Sequence, residues 1–199
     1  MMHPATALTY IGPVRGFGIV AKAPIPKGTL IYVLDKLDIV IRPGDPLNND
    51  PLYEEVLTTY AYTEPNGNRI LCWDHGKYMN HCCQPNTLST GFGFEIAIKD
   101  IAIGEEVTDH YALLNLEYPM ELQCDKPGCN GKIIPGELSI HHEWMDARIK
   151  EALAKLRSVP QPLYKLLDRS TKASLERFLD HGEGYPPVLS LQHPLRKAM

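Results

Sequence analysis

Three short segments carry the side chains with the most chemical reach: Arg15-Gly16-Phe17-Gly18-Ile19-Val20-Ala21, then Tyr78-Met79-Asn80-His81-Cys82-Cys83-Gln84-Pro85-Asn86, then Gly104-Glu105-Glu106-Val107-Thr108-Asp109-His110-Tyr111. Glycine lacks a Cβ, so the Gly16/Gly18 pair lets backbone approach a ligand closely, although a tight turn uses the same residues. The pair is not a dinucleotide fingerprint, because β-formers follow Gly18 and the third glycine is missing. Asn80 and His81 set an amide and an imidazole beside a proline turn, where they could meet a purine edge, an amino-acid carboxylate or only local backbone. Tyr111, taken alone, reads as a buried aromatic whose hydroxyl is bonded. The cysteines are Cys72, Cys82, Cys83, Cys124 and Cys129, an odd count with two adjacent, which suits thiols or metal ligands better than a disulfide framework.

The elements that must position these residues are short. Residues 7–44 predict short strands broken by turns, with Ile19-Val20-Ala21 following the glycine pair, a turn at Pro26-Lys27-Gly28, and β-branched-rich runs at Leu30–Leu34 and Ile39–Ile41. Asp50 as N-cap and Pro51 at the first helical position predict one helix between Asp50 and Tyr62. Asn66-Gly67 is a hairpin turn signal, with a strand over Arg69–Trp73 leaving it. Phe94, Ile96 and Ile98 alternate, and Ile103-Gly104-Glu105-Glu106 makes the next corner. After Pro135 the period changes. Met145, Ile149, Leu153 and Leu156 predict one amphipathic helix, and Leu163, Leu166, Leu167, Leu175, Phe178 and Leu179 a second, with Pro160 and Pro162 between them and Gly182-Glu183-Gly184 as the stop.

The chain has 199 residues, 44% of them hydrophobic and 22% charged, so it can bury a core and is not disordered throughout. A net charge of −4 advertises no nucleic-acid surface. Residues 1–136 carry 10 Lys/Arg against 16 Asp/Glu, so this part would attract cationic partners if it attracts any. The absence of a long apolar run or a signal-like start predicts a soluble, intracellular protein with no membrane partner. The oligomeric state is not readable.

In conjunction and order, the three segments resemble the motifs of the SET-domain family of S-adenosylmethionine-dependent protein lysine methyltransferases: RGxGxxA, an aromatic-x-N-H-S-C-x-P-N run, and G-E-E-L-T followed by D-Y. The resemblance spans roughly residues 8–136. It implies an α+β, mainly β fold of several small sheets with a knot-like crossing that sets the Asn-His and Tyr segments side by side, followed by C-terminal helices. The implied division is a SET domain at 1–120, a post-SET-like loop at 121–136 and a helical extension at 137–199. Arg15, Gly16, Phe17, Gly18, Tyr78, Asn80, His81 and Tyr111 would bind S-adenosylmethionine, with Tyr111 also the catalytic tyrosine. Tyr60, Tyr62 and Phe92 would wall a channel for the lysine of a protein or peptide substrate. The amine must arrive neutral, and a lysine ammonium with a pKa of about 10.4 is pushed down by an apolar channel and a neighbouring sulfonium.

Three departures from the family pattern stand out. The post-SET element reads C-x-C-x4-C-x-G, and Cys124, Cys129 and Cys83 match its zinc ligands while Leu122 occupies the place of the first cysteine. Zinc is thus left open, its fourth ligand to come from a histidine, Asp125 or water. Asp109 replaces an aromatic that limits how many methyl groups are added, and His110 replaces an acid. An alternative to the enzyme is a catalytically silent SET-fold module that binds a basic peptide or scaffolds a complex, and a third reading is a small zinc-dependent interaction protein.

Overall fold

In the computed structural model, residues 1–194 are described, and no strand among them exceeds the seven residues of β1 (Thr6–Gly12). Left-handed glycines keep the strands short: Gly16 at φ 66° opens β2 (Gly16–Ala21), and Gly28 at φ 96° precedes β3 (Leu30–Val33). After β4 (Ile39–Ile41) come α1 (Glu54–Tyr60) and the hairpin β5 (Ala61–Thr63) and β6 (Arg69–Leu71), turned at Asn66-Gly67 as its sequence predicts. The remaining strands are β7 (Asn80–His81), β8 (Thr87–Ser89), β9 (Phe94–Ala97), β10 (Glu106–Asp109) and the pair β11 (Met120–Glu121) and β12 (Lys132–Ile133). Two longer helices follow, α2 (Leu138–Leu153) and α3 (Arg169–His181).

These strands make a four-stranded sheet in the order β1-β2-β10-β7, two three-stranded sheets, β3-β9-β8 and β4-β6-β5, and the β11-β12 hairpin. The architecture is α+β and mostly strand. All pairings are antiparallel except β10 with β7, which sets Thr108 against Asn80 and Asp109 against His81. That parallel pair holds the Asn-His segment beside the segment that ends in Tyr111.

Two cores support the sheets. Ile19, Ile25, Ile31, Ile101 and Val107 fill one beneath β2 and β10. The other joins Leu30, Phe94 and Ile96 of the β3-β9-β8 sheet to Met145, Ile149 and Leu153 of α2 and Leu175 of α3, so the C-terminal helices dock on the β part. Each of the three α2 side chains is fully buried, worth about 1.5–3 kcal/mol apiece.

Several sequence expectations need correction. The first helix starts at Glu54, because Asp50 accepts from the Leu52 amide at 3.0 Å and closes a separate turn over Pro51–Tyr53. The β6 strand ends at Leu71, since the Trp73 amide leaves the ladder for Asp38 Oδ1 at 3.1 Å. Leu156 lies in its own short 3-10 turn after α2, and Tyr164–Leu166 form another, flanked by Leu163 and Leu167, before Asp168 caps α3 by accepting from the Ser170 and Thr171 amides. Gly182, in the left-handed region, ends α3 as expected.

Candidate active site

The site is built where β2, β10 and β7 lie side by side. A Cβ placed on Gly18 would come within 2.7 Å of Asn80 Nδ2, Glu106 Oε1 and Ile11 Cγ1, so any side chain there would displace Asn80 and Glu106 from their present bonds. Asn80 Nδ2 donates to the Phe17 carbonyl at 3.1 Å and to Glu106 Oε1 at 2.8 Å. Arg15 pairs with the other oxygen of Glu106 at 2.7 Å and reaches the His81 carbonyl at 3.4 Å. Five of the residues singled out in the sequence, Arg15, Phe17, Gly18, Asn80 and His81, are thus tied into one network whose hub is Glu106. Phe17 is half exposed and meets Tyr78 edge-on at 6.2 Å, and Tyr78 meets Tyr60 at 5.3 Å.

Tyr111 and His81 form a partition between two cavities. Their rings meet edge-on at 5.4 Å, Tyr111 lining one cavity and His81 the other. The Tyr111 hydroxyl donates to the Met79 carbonyl at 2.7 Å. Burial and the charge of Asp109 push its pKa up to about 12, so it stays a phenol at neutral pH.

The cavity on the Tyr111 side, of about 190 Å³, is walled by Tyr32, Tyr60, Tyr62, Met79, Phe94 and Leu113. Tyr60 and Tyr62 stand there as expected. Phe92 does not: it lies in the core under the helices, in contact with Phe94, Phe178 and Tyr185. Asp109 lines this cavity, and so does Glu95 of β9, which lies in none of the three motif segments. Burial raises both carboxyl pKa values, Glu95 to about 7, and repulsion from Glu95 adds to the rise at Asp109. The one signal that pointed here was the replacement of an aromatic by Asp109.

On the His81 side a groove of about 250 Å³ lies between the 122–131 loop and α2, lined by His81, His110, His141, Leu122, Ile133 and Trp144. His110 stacks against His81 and His141 at 4.9 and 4.8 Å. Burial lowers the pKa of His81 to about 4 and of His110 to about 3, so both are neutral.

The β11-β12 hairpin carries its loop over Cys83. Nε2 of His81, Sγ of Cys83 and Sγ of Cys124 lie within 4.8 Å of one another, a cluster that could hold a metal, and Cys129 is near enough to perturb both thiols. A closed four-ligand zinc centre fits this arrangement poorly. His81 Nδ1 accepts from the Tyr111 amide at 3.2 Å, so Nε2 carries the ring proton and faces Cys83 Sγ at 3.2 Å. A histidine ligating through Nε2 needs Nδ1 to donate, and that position is held by a donor. Leu122 lines the groove and supplies no ligand atom.

Residues 16–112 match the family model of the SET domain. The chain carries a SET domain. Its three motif segments fall within or at the edge of that span, and α2 and α3 lie outside it. Two solved structures are similar to this chain. One is a candidate histone methyltransferase of Plasmodium falciparum, 18% identical, with a TM-score of 0.40, covering 55% of this chain and 95% of that one. The other is the methyltransferase domain of the human histone-lysine N-methyltransferase SETMAR, 18% identical, with a TM-score of 0.44, covering 68% of this chain and 58% of that one. No curated protein matches the chain. No helix among the described residues is long and apolar enough to cross a membrane.

Proposed function

We propose that this SET protein is a protein-lysine N-methyltransferase that moves a methyl group from S-adenosylmethionine to a lysine side chain of a protein or peptide. The observation that carries the reading is the partition: Tyr111 and His81 separate a tyrosine-walled cavity from a histidine- and tryptophan-lined groove, as a reaction between two ligands held on opposite sides requires. The groove fits the purine end of S-adenosylmethionine through the rings of His81, His110, His141 and Trp144. Of the residues the resemblance assigns to that molecule His81 alone lines the groove, while Arg15 and Asn80 are held by Glu106 beside Gly18. When bound, that molecule supplies an electrophilic methyl on a sulfonium.

The chain's own contribution is placement. The aromatic wall excludes water from the amine, which must give up its proton before transfer, and the Glu95 carboxyl in the same lining, its pKa raised to about 7, can take it. Tyr111, un-ionised and fixed on the Met79 carbonyl, orients the nitrogen without acting as a base. Zinc has no part in this reading.

Calorimetric titration with S-adenosylmethionine and with its demethylated product tests the reading, with zinc content measured on the same sample. Binding of both at micromolar concentration is expected. If folded protein binds neither, the methyltransferase reading fails and the silent peptide-binding module takes its place.

A further inference from the structure

The tyrosine-walled cavity has a floor that its own wall does not neutralise. Glu95 and Asp109 are 5% and 4% exposed. Neither forms an ion pair among the described residues. Glu95 Oε1 is bonded by the Thr87 hydroxyl, and Asp109 Oδ1 accepts from the His110 amide at 2.7 Å. Glu95 Oε2 and Asp109 Oδ2 are left without a donor among the described residues. Neither is sealed in the core, where Thr29 Oγ1 is the one buried side-chain polar atom without a partner among the described residues. Both carboxyls can therefore offer an oxygen to the cavity, where a ligand bringing N–H groups and positive charge can bond to it.

The cation on the cavity wall is already committed. Lys77 Nζ donates to the carbonyls of Cys72, Trp73 and Asp74 at 3.5, 3.4 and 3.1 Å. Glu64, a third acid of the lining, is held through Oε2 by the Asn68 amide group at 2.9 Å. The acceptor capacity is therefore concentrated at Glu95 and Asp109, and the way to them runs between tyrosine rings that suit a slender apolar stem.

We propose that this cavity binds an alkylammonium group, its stem among the tyrosines and its N–H groups on the free oxygens of Glu95 and Asp109, so that the site discriminates by the number of N–H donors. A primary ammonium satisfies both oxygens with one hydrogen to spare, and a monomethyl ammonium still satisfies both. A dimethyl ammonium satisfies one, and a trimethyl ammonium none. The inference deepens the methyl-transfer reading and rests on it only for the fate of the amine: the pair retains lysine with no or one methyl group and releases lysine with more.

The test titrates the full chain at neutral pH with n-butylamine, N-methylbutylamine, butyltrimethylammonium and 1-butanol, following the NMR signal of the Met79 methyl in the cavity wall. Butylamine should bind about tenfold tighter than butanol, from charge-assisted hydrogen bonds. N-methylbutylamine should stay close to butylamine, and butyltrimethylammonium should fall to the level of butanol. Asp109→Asn and Glu95→Gln, both near-isosteric, should each erase most of the preference for the amine. Equal binding of amine and alcohol overturns the proposal, as does a trimethylammonium as tight as the primary amine, or an undiminished preference in both variants. S-adenosylmethionine titrated into the same samples separates the two readings. Amine preference without S-adenosylmethionine binding leaves the cavity assignment standing and removes the methyltransferase. S-adenosylmethionine binding without amine preference does the reverse.

Discussion

The two cavities that meet at Tyr111 and His81 are lined by opposite kinds of titratable group, and burial acts on them with opposite sign. On the tyrosine-walled side it raises Glu95 and Asp109, disfavouring their anions. On the groove side it lowers His81 and His110, disfavouring their cations. Both linings are thereby driven toward neutrality while the protein is empty. They differ in what relieves them: a cation ionises the acids favourably, whereas a flat neutral ring suits the imidazoles as they stand. The comparison teaches that the two linings differ in the ligand charge that would suit them as well as in shape.

The largest effect should come from the partition itself. Tyr111→Phe removes the hydroxyl that fixes the Met79 carbonyl and should lower turnover on a lysine peptide by roughly a hundredfold, with S-adenosylmethionine affinity nearly unchanged by calorimetry. Full activity in that variant would remove Tyr111 from the mechanism. Asn80→Ala should do the converse, weakening S-adenosylmethionine binding more than it slows turnover.

Next in size is the response of the acid side to pH. Glu95 titrates at about 7 in the fold against a usual value of 4.5, so its contribution to stability is complete below pH 4.5 and is lost as pH rises through 7. Glu95→Gln should therefore raise stability at pH 8 by about 3 kcal/mol and change it little at pH 4, as read by urea unfolding. Equal stability of variant and parent at pH 8 would mean the carboxyl is better solvated than its burial implies.

The groove should respond the other way. His110 holds a pKa of about 3 in the fold against 6.5 when unfolded, so its contribution is complete above pH 6.5 and is lost as pH falls. His110→Gln should flatten the acid limb of the stability curve by about 1.4 kcal/mol per pH unit between pH 6 and 4. An unchanged acid limb would break the symmetry drawn between the two cavities.

The smallest effect concerns the thiols. With the His81 tautomer set by the Tyr111 amide, elemental analysis of purified protein should find well under one zinc per chain, and Cys124→Ser should leave the unfolding midpoint within about 0.5 kcal/mol of the parent. One zinc per chain, lost in Cys124→Ser, would show that the histidine turns to ligate.

Much of this site was legible in the sequence, because its residues form segments whose types and order are constrained together. A larger residue at Gly18 would push Asn80 and Glu106 aside, and Asn80 and His81 lie in the parallel ladder with Thr108 and Asp109. Glu95 was not legible. In the run Phe94-Glu95-Ile96-Ala97 it takes the position of a solvent-facing residue in an alternating strand, yet every residue of β9 is buried because the β3-β9-β8 sheet is covered on both sides. Phe92, expected in the channel wall with Tyr60 and Tyr62, is instead covered by Phe178 and Tyr185, which are far along the chain and outside the resemblance. Leu156 continues the spacing of α2 after the helix has stopped, since a 3-10 turn can present the same face.

The parallel pairing of β10 with β7 also bears on the order in which the molecule assembles. β10 lies between β2, from the start of the chain, and β7, and neither contact can be made by a local hairpin. Loop closure over such separations must be paid for before the contacts reward it, so this sheet should be slow to form. The β5-β6 hairpin and α2 can gather early from near neighbours. In a refolding experiment with pulsed hydrogen exchange, the amides of Cys82 and Tyr111, which bond to Asp109 and His81 across the crossing, should be among the last to gain protection.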